Sequence, residues 1–486
     1  MIFICFLLAA LFSLVYRFYK RKQKTVIVIG AGMAGLTAAK NLSRHFKVIV
    51  LEGRNRIGGR IHTDTKSFGF PIDLGASWIH GMQDNPLAPF ISRSEIKVHA
   101  TDREAIYQID GFRPDEEREQ RIYQQKHALY DLLRKLSSLA KTDPIVWNGI
   151  EYSTRNVLSV KDFMNLNGEK LLKALDVCKE DEVLLKNLFM HMEGNDGAKF
   201  EEISFQGFHL TRELEGAHVI FPTGYIKLLH EAIGSLPTIQ LNTVVQSIKW
   251  DGRECIIQSN KGSLQADHVV IAVPLGVLKS QKIQFSPSLP AWKANCISKV
   301  PVGLYNKIFL LFDHAFWPGD LDAIRISALK KDSFGVDLST AERMNETDEF
   351  TQTFISFVPV LGENMLMGTF VAERAKFIES LDDSVIVDVI LSKLQSAFNI
   401  SLPLKNHLLK FSITRWGQDE FSCGSYAYIG LQSTEEHLDQ LAACVDDKLF
   451  FAGDYTCKDF ISCTHGAHVS GIRVANQILS LKKLAK

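Results

Sequence analysis

Three glycines have the spacing of a turn that binds the diphosphate of a dinucleotide. The run Gly30-Ala31-Gly32-Met33-Ala34-Gly35 matches G-x-G-x-x-G, in which glycines permit a tight turn and a close approach of the backbone to a pyrophosphate at a helix N-terminus. Glu52 follows Gly30 by 22 residues, where a carboxylate can accept hydrogen bonds from both ribose hydroxyls of an adenosine. These residues predict a site for FAD or NAD, and the motif alone does not separate the two.

The residues on both sides of this turn have the pattern of the elements needed to position it. Residues 25–30 (TVIVIG) and 47–52 (KVIVLE) are apolar and rich in β-branched side chains, and residues 33–42 have the character of a helix. We therefore expect a strand–helix–strand unit within a parallel sheet. The predicted fold class is α/β, with a doubly wound, Rossmann-like dinucleotide-binding domain.

Further along the chain, the pattern changes to that of a second, α+β domain. Residues 116–139 are highly charged with helical periodicity, and residues 170–192 also have a helical pattern. Strand-like runs return at residues 255–258, 268–273, 307–312, 354–358 and 367–371. The predicted dinucleotide-binding domain comprises residues 25–95, 215–300 and 410–486, and it is interleaved with a predicted substrate-binding domain of residues 96–214 and 301–409.

The composition is that of a globular protein with more than one domain. The chain has 486 residues, of which 46% are hydrophobic and 23% charged, so it can bury a large core. Its 55 basic and 55 acidic residues argue against a protein that coats nucleic acid, because such a protein needs a positive field. The eight cysteines form no C-x-x-C pair, and neither a metal site nor a dense disulfide framework is expected.

The N-terminal segment has the pattern of a membrane anchor. Residues 2–16 carry no charge, and a helix of residues 2–19 would extend roughly 27 Å, nearly the width of a bilayer core. The basic residues Arg17, Lys20, Arg21, Lys22 and Lys24 follow this segment. In a secretory signal peptide the basic residues come before the apolar segment, so the order here is reversed. Residues 1–24 are therefore predicted to be a retained N-terminal hydrophobic anchor helix with a basic flank, and the catalytic body is expected in the cytoplasm. A short buried helix or a cleaved signal are the alternatives.

The segment after Glu52 gives the sequence a family resemblance. Residues 51–63 (LEGRNRIGGRIHT) resemble the second nucleotide motif of the flavin-containing amine oxidases. Similar family segments recur along the chain: DLGASWIHG (73–81), AVPLGVLK (272–279), VGLYNKIFLLFDHAFWP (302–318), RWGQDEFSCGSYAY (415–428), FFAGDYT (450–456) and THGAHVSGIRVA (464–475). The resemblance covers nearly the whole chain after residue 24.

The resemblance implies FAD as the cofactor, and it assigns residues to each part of that molecule. Arg54, Gly59 and Arg60 are expected near the diphosphate, and the backbone of Val245 is expected at the adenine. The remaining implied contacts are Gly75, Ala76, Ser77 and Trp78 along the flavin, Trp416 packed on it, and Gly453, Asp454 and Thr464 in the closing motif, in addition to Gly30, Gly32, Ala34, Gly35 and Glu52.

Two departures from the family pattern bear on how FAD would be held. Asp454 stands where the family commonly has glutamate, so a hydrogen bond to the ribityl chain is expected with altered geometry. In the monoamine oxidases a cysteine directly before the substrate-side tyrosine holds the flavin covalently, whereas Ser425 precedes Tyr426 here. Cys423 is two positions away. The resemblance therefore implies non-covalent FAD.

Three residues are candidates for the reaction itself. Lys307 lies in an apolar, strand-like run, where a cation is unfavourable unless it serves a site, and the resemblance implies a hydrogen bond through water to flavin N5. Tyr426 is an expected aromatic wall for the amine. His80 matches a position at which polyamine oxidases carry a histidine or an acid near the substrate. Acids for the distal amines are sought among Glu193, Glu201 and Glu202, and no motif chooses between them.

The resemblance implies an FAD-dependent amine oxidase. Such an enzyme transfers a hydride equivalent from the carbon next to the amine nitrogen to flavin N5, the imine is hydrolysed, and reoxidation by O2 gives H2O2. The segment around His80 resembles the polyamine oxidases more than the monoamine oxidases, so the predicted substrate is a polyamine such as spermine or spermidine. The alternatives are oxidation of another amine or an L-amino acid, histone-demethylase-like lysine oxidation, and a non-catalytic, membrane-tethered FAD-binding scaffold or redox sensor.

Overall fold

The computed structural model describes residues 23–108, 113–139, 145–147, 150–152, 157–190, 192–235, 238–327 and 351–484. The strands in these ranges are short, and none exceeds eight residues. In chain order they are β1 (Thr25–Ile29), β2 (Lys47–Leu51), β3 (Thr63–Asp64), β4 (Ile72–Asp73), β5 (Trp78–Ile79), β6 (His99–Ala100), β7 (Glu104–Gln108), β8 (Ile145–Trp147), β9 (Ile150–Tyr152), β10 (Val219–Ile220), β11 (Thr238–Gln240), β12 (Val245–Lys249), β13 (Cys255–Ser259), β14 (Gly262–Ala266), β15 (His268–Ile271), β16 (Gln284–Ser286), β17 (Val302–Gly303), β18 (Tyr305–Phe312), β19 (Ala323–Ser327), β20 (Thr351–Ser356), β21 (Met365–Val371), β22 (Leu408–Ile413), β23 (Tyr426–Ala427) and β24 (Leu449–Phe451).

The α-helices of the described ranges vary from single turns to six turns. In chain order they are α1 (Met33–Leu42), α2 (Ala88–Arg93), α3 (Glu116–Leu139), α4 (Val160–Ala174), α5 (Glu182–Met190), α6 (Glu193–Asp196), α7 (Ile226–Ile233), α8 (Leu275–Lys279), α9 (Ala291–Lys299), α10 (Val358–Leu361), α11 (Ala372–Ile378), α12 (Asp383–Ala397), α13 (Glu435–Ala442) and α14 (Thr464–Leu484). Short 3₁₀ helices cover Leu404–His407, Asp454–Thr456 and Lys458–Phe460.

A parallel five-stranded sheet forms the centre of the predicted dinucleotide-binding part. Its strand order is β11-β2-β1-β15-β24, and every neighbouring pair is parallel. The central strand, TVIVI, is buried on both faces, which explains its continuous β-branched composition. The predicted α/β class with a Rossmann-like sheet is confirmed.

Helix α1 lies between this sheet and α14. Eight of its ten residues are buried, and Gly35 is one of them. Small side chains such as Ala34 and Ala38 allow α14 to approach closely. A Cβ atom on Gly471 of α14 would lie 2.4 Å from the carbonyl oxygen of Ala34, a distance that no side chain can occupy. The position of α1, and with it the glycine turn at its N-terminus, is thus set from both sides.

A six-stranded sheet, β22-β18-β21-β20-β19-β7, forms the second large layer. Neighbouring strands are antiparallel except for β19 and β7. Side chains on β18 alternate between its faces, and Ile308, Leu310 and Phe312 join the core that includes α12. Tyr305 and Lys307 stand on the other face. This alternation directs a tyrosine and a lysine away from the core that covers the sheet.

Most of the predicted elements are found where the sequence places them, and one is wrong. The strands at residues 25–30, 47–52, 255–258, 268–273, 307–312, 354–358 and 367–371 and the helix at residues 116–139 are confirmed with small shifts in their ends. The helix predicted at residues 170–192 is instead the end of α4, a turn and α5. Asp176 in that turn has φ +51°, which a continuous helix does not permit. The exact division into two interleaved domains stays a prediction.

The predicted anchor lies almost entirely outside the described residues, which begin at residue 23. Within the described part of the chain, no helix is both long and apolar enough to cross a membrane.

Candidate active site

One cavity of about 1490 Å³ brings the predicted site residues together. It opens at the carboxyl ends of the parallel strands β1, β2 and β24 and continues past β18. Of the residues predicted from the sequence for cofactor, substrate or catalysis, all line it except Gly35 and the three glutamates considered for the distal amines. The volume exceeds the roughly 300–1,000 Å³ of a site for one small ligand, so a dinucleotide and a substrate can share it.

The glycine turn is open towards this cavity. Gly30 has φ +105°, and a Cβ atom there would lie 2.7 Å from the carbonyl oxygen of Ala272. A Cβ atom on Gly32 would meet nothing closer than 3.8 Å, and no side chain caps the N-terminus of α1. Gly35 faces the strand instead, where a Cβ atom would clash with the Gly30 carbonyl at 2.0 Å. The turn therefore presents uncapped backbone amides to the cavity, which is the requirement for a diphosphate.

Glu52 is held rigidly at the end of β2. Its Oε2 atom accepts a hydrogen bond from the amide of Ala31 at 2.7 Å, and its Oε1 atom accepts one from the amide of Arg54 at 2.9 Å. The residue is buried, yet it lines the cavity beside Val245. Each oxygen keeps a lone pair for a further donor, as the ribose hydroxyls of FAD require.

The two predicted arginines have different partners. Arg54 donates to both carboxylate oxygens of Asp419, at 2.9 and 2.5 Å, and its guanidinium lies 5.3 Å from the centre of the Phe421 ring. Arg60 donates to both oxygens of Asp454, at 3.2 and 2.5 Å, and to the carbonyl of Ser425. Arg60 and Asp454, predicted for different parts of FAD, thus form one ion pair at the cavity wall.

Lys307 is buried and its ammonium group has three acceptors. It donates to the carbonyl oxygens of Asp73 and Gly75, at 2.9 and 2.6 Å, and to Oγ of Ser77 at 2.5 Å. Burial lowers the pKa of Lys307, although the nearby Asp73 carboxylate opposes this change. The ammonium also lies 5.5 Å from the centre of the Trp78 ring. Lys307 therefore connects β18 to the segment of residues 73–78 that lines the cavity.

Trp416 packs on the same segment. Its indole donates to the carbonyl of Leu74 at 3.1 Å, and a Cβ atom on Gly75 would lie 3.3 Å from its ring. The side-chain oxygen of Asn306 accepts from the Trp416 amide at 2.9 Å, which fixes the indole relative to β18. Trp416 and Gly75 are thus placed together, as a shared contact with a flavin would require.

Tyr426 faces a second tyrosine that the motifs did not indicate. Its ring centre lies 6.3 Å from that of Tyr305, with 42° between the planes. The Tyr426 hydroxyl donates to the carbonyl of Gly194 at 2.6 Å. Both rings line the cavity, and Tyr305 stands two residues before Lys307 on the same face of β18. The two faces form an aromatic pair that can attract an ammonium group.

His80 is paired with His218 across the cavity wall. Their Nδ1 atoms are 3.2 Å apart, so one ring donates the hydrogen bond and the other accepts it. Cavity solvent reaches His80, but protein surrounds the ring, and this desolvation lowers its pKa to about 3. The imidazole is neutral at pH 7, and in the tautomer that donates from Nδ1 to His218 its Nε2 atom can accept a hydrogen bond from a substrate.

The acids proposed from the sequence for the distal amines do not line the cavity. Glu193 accepts from the amide of Phe200 at 2.8 Å, Glu202 accepts from the amide of Lys199 at 3.1 Å, and Glu201 pairs with Lys161. Among the carboxylates that do line the cavity, Asp196 lies near Tyr426 and Glu213 lies near Asp196. Neither lies in a recognisable motif, so only the folded chain identifies them.

This arrangement fits FAD and an amine. The uncapped turn of α1, the rigid carboxylate of Glu52, and Arg60 with Asp454 line the cavity. The aromatic pair and His80 line the same cavity. Cys423 does not line the cavity, whereas Ser425 bonds to the backbone of Tyr305 through its hydroxyl.

Comparison with known proteins agrees with this geometry. Residues 33–479 match the family described as flavin containing amine oxidoreductase. Polyamine oxidase 2 of Arabidopsis thaliana is 32% identical over 470 residues, which cover 94% of this chain and 88% of that protein. Polyamine oxidase 3 of Oryza sativa subsp. japonica is 31% identical over 94% of this chain and 90% of its own length. Lysine-specific histone demethylase 1 homolog 1 of the same plant is 30% identical over 95% of this chain, which spans 53% of that protein.

Proposed function

The chain belongs to the flavin-containing amine oxidoreductases, and on that premise we propose that it is a polyamine oxidase acting on substrates such as spermine or spermidine. FAD is its cofactor and an amine is oxidised. The choice of a polyamine rests on one observation above others: the cavity that is lined by the cofactor residues is also lined by aromatic rings and carboxylates. Aromatic faces and carboxylates are the groups that attract ammonium ions.

The residues of the chain would prepare the amine for oxidation. The faces of Tyr305 and Tyr426 hold the substrate ammonium, and burial between them favours its neutral form. The neutral imidazole of His80 accepts a hydrogen bond from the amine. Bound FAD supplies the acceptor for a hydride equivalent from the carbon next to that nitrogen.

Lys307 is the proposed proton carrier for reoxidation by O2. Its lowered pKa brings the charged and neutral forms of Nζ closer in free energy than in an exposed lysine. Its three acceptors lie in the loop and strand of residues 73–77. A proton gained or lost at Nζ would therefore be exchanged at the cavity wall rather than with bulk solvent.

Oxidation of a methylated lysine side chain is the second candidate. The plant histone demethylase homologue supports it, because its identity to this chain is similar to that of the polyamine oxidases. The length covered favours the polyamine reading, since the chain spans 88–90% of the two polyamine oxidases and about half of the demethylase homologue.

Anaerobic reduction of the bound flavin tests the proposal. The purified, FAD-loaded protein is mixed with spermine, spermidine, their N-acetyl forms, a monoamine, an L-amino acid and a dimethyl-lysine peptide, and the loss of visible flavin absorbance is followed. We expect fast bleaching with one or more of the polyamines and slow or no bleaching with the others. Bleaching by the peptide alone would favour the demethylase candidate, and no bleaching by any amine would favour a non-catalytic FAD-binding scaffold or redox sensor.

We also propose that residues 1–24 attach the protein to a membrane, with the catalytic body on the cytoplasmic side. The uncharged residues 2–16 and the basic residues that follow them support this proposal. Fractionation of cells that express the full chain, compared with a chain that starts at residue 23, tests it. Equal amounts of both in the supernatant would exclude the anchor.

A further inference from the structure

Asp196 lies directly against the aromatic pair. It ends α6, and the carbonyl of Gly194 in that helix accepts the Tyr426 hydroxyl at 2.6 Å. A Cβ atom on Gly197 would lie 3.2 Å from the Tyr426 ring, and one on Gly194 would lie 3.7 Å from the Tyr305 ring. Asp196 lines the same cavity as both rings. The helix that carries the carboxylate thus forms part of the wall around the proposed amine site.

The carboxylate of Asp196 has no partner among the residues that the structure describes. Within the described part of the chain, no group donates a hydrogen bond to it or forms an ion pair with it. The charge of Arg134 attracts it, but the Arg134 guanidinium donates to the carbonyls of Phe208 and Thr211 and lies 4.0 Å from Glu213. Arg134 therefore has partners of its own, and no described residue forms an ion pair with the Asp196 carboxylate.

A partly buried carboxylate at a cavity wall is unfavourable when it has no partner. Desolvation opposes ionisation of Asp196, and it raises the pKa from the ordinary 3.8 to about 7. Such a group is stabilised when a cation enters the cavity and forms a hydrogen-bonded pair with it. Since no described residue pairs with this carboxylate, a cationic ligand in the cavity is a partner that would satisfy its charge.

We propose that Asp196 binds a second ammonium group of the substrate while the tyrosine pair and His80 hold the amine that is oxidised. This inference deepens the proposed function and rests on it. A monoamine fills the aromatic pair and leaves Asp196 unpaired, whereas a diamine or polyamine satisfies both sites. Asp196 is thus a specificity-determining residue that favours amines with at least two positive charges.

The primary test compares Asp196→Asn with the wild-type holoenzyme. The substitution removes the charge, keeps the size and breaks no hydrogen bond. In anaerobic flavin reduction we expect the apparent Kd for spermine to rise about tenfold, with a small change in the limiting rate. The apparent Kd for octylamine, which has one ammonium, should not change. Asp388→Asn is the matched control, because Asp388 is an exposed partner of Lys405 and does not line the cavity.

A second test measures binding without turnover. Hexamethonium and hexyltrimethylammonium have the same six-carbon chain with two and one quaternary nitrogens, and neither has the lone pair that oxidation requires. Aromatic faces bind quaternary ammonium ions. Titration of the oxidised holoenzyme, followed by calorimetry, should give about tenfold weaker hexamethonium binding to Asp196→Asn and equal binding of the monocation to both proteins.

The charges of these two probes do not change with pH. The same titration, repeated at several pH values, therefore reports on the ionisation of groups in the protein. Hexamethonium affinity of the wild type should rise as the pH increases through about 7, where Asp196 ionises, and this rise should be absent in Asp196→Asn. The other facing groups are Arg134 and Tyr130 of α3, Glu213, Tyr426, Tyr428 and Cys463. Burial raises the pKa values of the three tyrosines and of the thiol, so these four stay neutral, and Glu213→Gln separates the contribution of the remaining carboxylate.

The outcomes separate the two proposals. Equal spermine and hexamethonium affinities in wild type and Asp196→Asn would overturn the role of Asp196 and leave polyamine oxidation standing. Absence of flavin reduction by any amine would overturn the proposed function, while the hexamethonium titration would still decide whether Asp196 binds a second cation. A large fall in melting temperature of Asp196→Asn would assign the residue a structural role, because removal of an unpaired, partly buried charge should leave stability equal or higher.

Discussion

Lys307 is a cation in the interior of a sheet, held by three oxygen acceptors from residues 73–77. We expect Lys307→Met to slow reoxidation of the reduced flavin by O2 by roughly 10²-fold, the lower end of the range for a positioned proton donor. Anaerobic reduction by substrate should change less, because that step does not need the proton of Nζ. Stopped-flow measurement of both half-reactions checks this.

Lys410→Met is the control for Lys307→Met. Lys410 lies on the neighbouring strand β22 with its ammonium exposed and bonded to the carbonyl of Ser67 at 3.0 Å. Both half-reactions should keep their wild-type rates in this variant. An unchanged reoxidation rate in Lys307→Met, with FAD content intact, would contradict the role given to Nζ.

Site residues differ in how clearly a local sequence pattern identifies them. Glu52 and Lys307 stand out because a local pattern marks each of them: a fixed distance from a glycine turn, and a charge inside an apolar run. Asp196, Tyr305 and His218 are surrounded by ordinary residues in the sequence. They become site residues only because β18, α6 and the segment before β10 converge on one cavity, and that convergence depends on contacts between residues far apart in the chain.

At the scale of elements, the close approach of α1 and α14 positions the glycine turn. We expect Gly471→Ala to destabilise the fold by roughly 1–3 kcal/mol, the usual cost of overpacking a core, because its methyl group would lie 2.4 Å from the carbonyl of Ala34. Chemical denaturation of the holoenzyme measures the change. Gly168→Ala in α4 has the opposite expectation, since a Cβ atom there meets nothing within 4 Å and alanine favours a helix by about 1 kcal/mol. Equal effects of the two substitutions would contradict this account of the helix pair.

Helix α14 also makes the fold sensitive to acid. Burial lowers the pKa values of His465 and His468 from 6.5 to about 4, so the unfolded chain binds their protons first as the pH falls. Their contribution to stability is complete above pH 6.5 and is lost as the pH falls towards 4. The free energy of unfolding should therefore decrease over this range by up to about 1.4 kcal/mol per pH unit for each proton.

His468→Asn should make this acid dependence shallower by up to one proton. The variant keeps a polar group near Oγ1 of Thr37, which lies 3.0 Å from Nδ1 of His468. Gly168→Ala, which replaces no ionisable group, should leave the slope as in the wild type. Denaturation curves at several pH values from about 4 to about 7 give the three slopes, and equal slopes in all three proteins would show that His468 titrates alike in the folded and unfolded states.

The elements around the cofactor were easier to predict than those around the substrate. Strands such as β1 and helices such as α1 carry continuous apolar or small residues because they are buried on both sides. Residues 157–190 and 192–197 contain short helices and turns, and these helices pack on α3 and on strands β19, β20 and β21. Their periodicity resembles one long helix, which is why the sequence failed to predict the turn at Asp176.

At the scale of the whole molecule, FAD should connect segments that are far apart in the chain, because the residues predicted to bind it come from β1, β2, β12 and β24. We expect FAD at 100 times its Kd to stabilise the apoprotein by about 2.7 kcal/mol. FMN lacks the adenosine half that Glu52 and Val245 are predicted to contact, so it should stabilise the apoprotein less. In Glu52→Gln the advantage of FAD over FMN should shrink by roughly 1–3 kcal/mol, while the effect of FMN alone stays the same. Urea denaturation at fixed ligand concentrations measures these differences, and an equal loss for FAD and FMN would indicate that Glu52 supports the fold rather than the adenosine.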